Sequence, residues 1–257
     1  MRGALSIVKK EVYSYFLSPV AYVVLGVFLF MMGLIFAKFV ALYQQYNMAQ
    51  QFGQAQGITL DKLATYLYQN MAFILCFVTP FLTMRLFSEE KRQNTLELLL
   101  TAPLKESEIV LGKFFSAYVL MLVMILVSAV YVFFMVLWGN PELKIIGATY
   151  LGLALASACY VSLGALISAM TSSQAIAAIW TFIALLFLWL LQTLGSGISV
   201  SWGPIQWGPT LVYISPLGHF NSFTEGLVHI KDVIYFVSFT LFSLFLTHKV
   251  VESNRWR

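Results

Sequence analysis

The sequence predicts an all-α polytopic membrane protein with six crossing helices, and three observations carry that prediction. The chain is 60% hydrophobic and only 10% charged, where soluble domains average about 25% charged. Six apolar runs reach the roughly 20 residues a helix needs to cross lipid. Between the second and third runs, the stretch Arg85–Lys113 gathers five of the fifteen basic residues and five of the eleven acidic ones. From Phe114 to Ile230 only Glu142, Lys144 and Glu225 carry a formal charge. Little is left for a separate soluble unit, so residues 1–257 read as one membrane domain. Cys76 and Cys159 both fall in apolar runs and read as small core residues, not as a disulfide or metal framework.

The leader, residues 1–18, is a basic amphipathic helix. Leu5, Val8, Val12, Tyr15 and Phe16 repeat at helical spacing, and Ser6, Lys9, Lys10 and Ser14 take the other side. Such a helix ahead of a span lies flat in the interface. A cleaved signal peptide is disfavoured, because the charged leader and the apolar run are both too long. Pro19 marks the turn into span one, residues 20–42, where Lys38 snorkels. Residues 43–61 are polar and read as a loop with some helix. Span two, residues 67–84, holds Gln69, Asn70 and Pro80, and Pro80 should kink it or end its regular bonding.

Span three, residues 114–138, is uncharged and ends at the turn Gly139-Asn140-Pro141. Span four, residues 145–170, sets Ala148, Gly152, Ala156, Gly164 and Ser168 on a four-residue repeat broken by Tyr160. Small residues at that spacing let helices approach closely in lipid, so span four should face other helices. A polar turn, Thr171 to Gln174, leads into span five, residues 175–194. Span six, residues 233–251, has Asp232 as its expected cap. Before it, residues 195–232 do not read as a simple loop. Ser215-Pro216 has the form of a helix start, with serine as cap and proline first. Leu217, Phe220, Phe223 and Leu227 share a face, and His219, Asn221, Ser222 and Glu225 lie mostly elsewhere. The piece is too short to span and reads as re-entrant helices in the outer leaflet.

Lysine and arginine placement sets orientation. With the N-terminus inside, eleven basic residues fall inside and four, Lys38, Lys62, Lys144 and Lys231, fall outside. Both termini and Arg85–Lys113 are therefore expected in the cytoplasm. This placement accounts for the net charge of +4 without nucleic-acid binding.

The chemistry is sparse. Coupled carriers need paired ionisable residues at membrane depth, and the spans hold almost none. His219, His229 and His248 are separated in sequence and read as surface histidines near the interfaces, so no metal site is expected. Gly112-Lys113 lacks the upstream glycine of a phosphate-cradling loop. If this chain transports, another protein supplies the energy. The Arg85–Lys113 stretch suits that role. Ser88 is placed to cap a helix whose first turn carries Glu89 and Glu90. Leu96, Leu99 and Leu100 form an apolar ridge, with Arg92 and Glu97 outside it. Pro103 ends this helix, and Ser107 and Glu108 begin a second that runs through Lys113 into span three. An apolar ridge with a charged rim is the composition of a protein interface.

The run from Phe87 to Phe114 resembles the cytoplasmic loop of ABC-2 type exporter permeases. The matching positions are Glu89, Glu90, Arg92, Thr95, Leu96, Glu97, Leu99, Leu100, Pro103, Glu108, Gly112 and Lys113, with Asn94 where many members have glycine. The likeness covers the whole chain. The stretch from Ser215 to Phe236 is similar to the gliding-motility-associated permease branch. The resemblance implies a half-transporter of type V exporter architecture in a bacterial cytoplasmic membrane. Two copies would pair, each docked on an ABC ATP-binding subunit that holds ATP and magnesium, with no cofactor and no catalytic residue in this chain. It implies ATPase-coupling contacts at Glu89, Glu90, Arg92, Thr95, Glu97, Leu99, Leu100, Thr171 and Ser172. It also implies an outer gate around Pro216, His219, Phe220, Phe223 and Glu225, and, for the gliding-type branch, an auxiliary membrane protein with an extracytoplasmic domain.

The expected function is the permease subunit of an ATP-driven ABC-2 transporter working outward. The rival is a scaffold that uses ATPase contacts for mechanical signalling; a membrane enzyme acting on lipid is disfavoured because no acid–base constellation converges at one depth. A C-terminal fusion to green fluorescent protein should fluoresce, and one to alkaline phosphatase should be inactive. The reverse pair would overturn the orientation.

Overall fold

In a computed structural model, the described residues are 2–17, 19–51, 60–93, 106–138, 141–197, 201–202 and 205–254. Six helices among them are long and apolar enough to cross a membrane.

Helix α1 (Arg2–Leu17) lies along α5 (Glu106–Val127). Its expected apolar face divides between the protein and the surface. Ile7 and Tyr15 pack on the core, whereas Leu5 and Phe16 are exposed. In lipid an apolar side chain gains nothing by turning inward, so polar partners select the face, as Glu11 does below. Helix α2 (Pro19–Gln51) continues well into the segment read as a loop. Its buried residues Ala21, Phe28, Met32 and Phe39 form one narrow seam, and Val23, Val27, Phe30 and Leu34 are exposed.

Helix α3 (Leu60–Thr83) runs through Pro80 and does not end there. Proline has no N–H to give the Cys76 carbonyl, yet the Met84 N–H still donates to the Pro80 carbonyl at 2.9 Å. Thr79 and Thr83 hydroxyls return bonds to the Leu75 and Thr79 carbonyls at 2.7 and 2.9 Å. After a turn comes the short α4 (Ser88–Arg92).

The helix expected to run from Ser107 through Lys113 into the third span is described from Glu106, and it is interrupted. Helix α5 stops at Val127 and α6 (Ala129–Trp138) follows. The Ser128 hydroxyl donates to the Ile125 carbonyl at 2.6 Å, and the Tyr131 N–H bonds the Ser128 carbonyl three residues back. Serine back-bonding and a tightened turn of this kind bend a helix.

Helix α7 (Leu143–Met170) is the hub. It touches α3, α4, α5, α8 (Gln174–Gly197), α10 (Pro216–Thr224) and α11 (Ile230–Asn254). The expected small face is buried: Ala148, Gly152, Ala156, Gly164 and Ser168 all lie inside, as does Tyr160. A Cβ on Gly152 would fall 2.7 Å from the Phe223 Cβ, and one on Gly164 would collide with the Thr83 side chain.

The segment between α8 and α11 holds two-residue strands β1 (Ser201–Trp202) and β2 (Ile205–Gln206), paired antiparallel, then α9 (Trp207–Ile214) and α10. Helix α8 runs three residues past the expected end of span five, to Gly197. Ser215 caps α10 as expected, accepting from the Leu217 N–H at 3.3 Å with Pro216 next.

Gly152→Val should separate α7 from α10 and lower stability by about 1–3 kcal/mol, the usual cost of overpacking. Gly147→Ala, with nothing within 4 Å of the new Cβ, should be neutral. Thermal unfolding of the two purified variants compares them; equal midpoints would refute the contact.

Candidate functional site

One junction forms where α1, α4, α5 and α7 meet. The Lys113 side chain is 3% exposed. Its ammonium lies 2.7 Å from Glu90 Oε1 on α4 and 3.3 Å from Glu11 Oε1 on α1. It also stands 5.4 Å from the centre of the Phe87 ring. A buried cation is tolerated only with partners of opposite charge, and here the partners come from two other elements. Glu90, expected as an outward contact, thus turns to Lys113 inside the chain. Arg92 is exposed, and Glu89 is half-buried beside Gln93, which donates to its Oε1 at 3.3 Å.

The start of α4 is not capped by Ser88 as the sequence suggested. The residue before the helix is Phe87, and it makes no side-chain cap bond. Ser88 is buried, and its hydroxyl donates back to the Met84 carbonyl. The cap is supplied from α7 instead. Ser168 Oγ accepts from the Phe87 N–H at 3.1 Å and the Ser88 N–H at 3.3 Å. The Lys91 ammonium donates to the Ala169 carbonyl. Thr171 and Ser172 follow directly in the turn between α7 and α8, Thr171 donating to the Ile167 carbonyl at 3.2 Å and Ser172 exposed. Two stretches some eighty residues apart, both expected to contact a partner, are therefore joined at the C-terminal end of α7. Thr95, Leu96, Glu97, Leu99 and Leu100 lie outside the described residues.

Tyr15 of α1 closes the junction, its hydroxyl donating to the Leu82 carbonyl at 3.2 Å. Burial pushes the Tyr15 phenol up from its usual pKa, the Glu11 carboxylate adds to this, and Arg85 opposes it. The phenol therefore stays a donor at physiological pH.

At the opposite end, His219 is buried, which corrects the reading of a surface histidine. Its Nδ1 is 2.6 Å from Asp232 Oδ1 and its Nε2 is 2.8 Å from the Tyr213 carbonyl. A carbonyl only accepts, so Nε2 donates to it, and Nδ1 faces the Asp232 carboxylate. Asp232 accordingly belongs to the first turn of α11 as a partner of α10, not as a cap. The ring stacks on Tyr235 at 4.0 Å. Phe220 and Phe223 are buried, and Phe220 also approaches Gly152. Glu225 is exposed just after α10. The expected gate residues thus split between a packed inner face and a free one.

Glu106, His248 and Glu252 bring possible metal-donor atoms within 4.8 Å of one another. Glu252 is held by Lys249 at 2.7 Å, so a cation would have to displace an ammonium.

Sequence reasoning missed the Lys113 triad, the Ser168 cap and the His219–Asp232 pair. The available signal was Lys113 itself, a cation at the mouth of an uncharged span.

Glu11→Gln with Glu90→Gln should leave Lys113 buried and unpaired and cost about 3 kcal/mol, the low end for a broken buried pair because both carboxylates are partly exposed. Adding Lys113→Met should recover most of it. A thermal midpoint that does not recover in the triple variant would refute the brace.

The model of the family described as ABC-2 family transporter protein matches residues 5–251. No curated protein matches the chain.

Proposed function

The chain belongs to the ABC-2 family of transporter proteins, as a multi-pass membrane permease subunit, and on that premise we propose that it is the passive half of an ATP-driven exporter. Two copies pair, and each docks on an ATP-binding subunit that holds ATP and magnesium. The observation that carries this reading is the bracing of α4. Ser168, Ala169 and Lys113 tie it to α7 and α5, and through Glu11 to α1. A load applied to α4 by a nucleotide-driven partner then reaches the leader and several spans at once. A loosely attached loop would absorb such a load by bending.

On this reading Glu89, Arg92, Thr171 and Ser172 face the ATPase, Thr95, Glu97, Leu99 and Leu100 complete the contact, and Glu90 acts inward to hold α4. The outer helices α9 and α10 move as the gate. Phe220 and Phe223 transmit the motion of α7 through Gly152, and the His219–Asp232 pair keeps α10 attached to α11. The N-terminus, the C-terminus and α4 lie in the bacterial cytoplasm.

Glu89→Arg with Arg92→Glu should weaken association with the ATP-binding subunit about tenfold, equivalent to 1.4 kcal/mol, with the chain's own thermal midpoint unchanged. Co-purification and ATP turnover of the reconstituted pair measure it. Unaltered association and stimulated turnover in the double variant would defeat the docking role.

A further inference from the structure

Three side chains with metal-ligand chemistry converge where the end of α11 meets the start of α5. Glu106, His248 and Glu252 each offer one donor atom, and these atoms lie within 4.8 Å of one another. The residues are remote in sequence, and the packing of α11 on α5 brings them together. His248 and Glu252 stand four residues apart on α11, so one helical face presents both. Glu106 opens the first turn of α5. Leu244, Thr247 and Val251 of α11 are buried, which anchors the turns that carry His248 and Glu252.

The donor set is selective. Two carboxylates at this separation call for a cation. Lys249 supplies one to Glu252 Oε2 at 2.7 Å, but the two side chains are 54% and 39% exposed. An ion pair so open to solvent holds weakly. It also engages one oxygen of a group that has two. Magnesium and calcium prefer sites made wholly of oxygen, whereas an imidazole nitrogen favours zinc and its transition-metal neighbours. Zinc bonds of about 2.0–2.1 Å in a tetrahedral site set neighbouring donor atoms about 3.4 Å apart. The donor atoms here lie within 4.8 Å, so they need to close by at most about 1.4 Å to reach that spacing. Three protein ligands leave the fourth position to water.

We propose that Glu106, His248 and Glu252 bind a divalent transition-metal ion of the zinc class, which pins the end of α11 to the start of α5. The site stands apart from the permease reading, because the chain holds all three ligands itself.

The test uses the full chain, purified without a polyhistidine tag into nanodiscs and stripped of metal with a chelator. Zinc is titrated against a fluorescent indicator. One zinc per chain should bind at micromolar concentration or below, and millimolar magnesium or calcium should not displace it. Glu106→Gln, His248→Gln and Glu252→Gln should each weaken binding by about tenfold or more, with the metal-free thermal midpoint held. Lys249→Met, which removes the competing ammonium, should tighten it. His229 is exposed and lies outside the site, so His229→Gln should leave affinity unchanged. Zinc should also raise the thermal midpoint of the wild-type chain and not those of the three ligand variants. No saturable zinc binding, displacement by magnesium or calcium, unchanged affinity in the ligand variants, or weaker binding in Lys249→Met would overturn the assignment. Those failures with the ATP-binding subunit still co-purifying leave the permease reading intact.

Discussion

Apolar surface drives little association between helices in a bilayer, because lipid tails are as apolar as leucine. Close backbone approach and polar bonds must do it instead, and this chain concentrates the first of these on α7. Its small residues admit Phe223 at Gly152 and Thr83 at Gly164 to distances that any Cβ would forbid. Helices α3, α5, α8, α10 and α11 all contact it. Helix α2 shows the contrast: with large apolar side chains facing out on most of its surface, it holds to the rest by one seam.

The polar bonds lie at the two ends of α7. At its C-terminal end, Ser168 serves a helix start that is remote in sequence, and Lys113 draws α1 and α4 together. The arrangement is exacting, since Lys113 is almost wholly buried and its charge must be met. That requirement explains why α1 presents Glu11 inward while exposing Leu5. It also ties α4, a helix of only five residues, to α5 and α1.

At its N-terminal end the constraint is irregular backbone. Helices α9 and α10 are each shorter than a span, so their exposed ends need partners. Tyr213 and Ile214 at the end of α9 give carbonyls to His219 and Tyr235, and Ser215 both caps α10 and bonds the Leu188 carbonyl of α8 at 2.9 Å. Leu217 and Asn221 of α10 also line a cavity together with residues of α3 and α8.

Hydropathy length and periodicity by themselves determined the six spans, the amphipathic leader, the Ser215-Pro216 helix start and the inward role of α7, because each depends on neighbours within a few residues. Family likeness was legible in the same way, from side-chain types at short spacing between Glu89 and Lys113. What the sequence could not supply was partnership over distance. Ser88 has the right type for a cap, but the N–H groups are met by a serine eighty residues on. Asp232 and His219 each have a plausible local role, and only folding brings their atoms to 2.6 Å. Gln69, Asn70, Gln192 and Asn221 are scattered along three segments. They become one cavity only because glycines let α7 draw α3 and α10 together, a consequence of packing that no local pattern encodes.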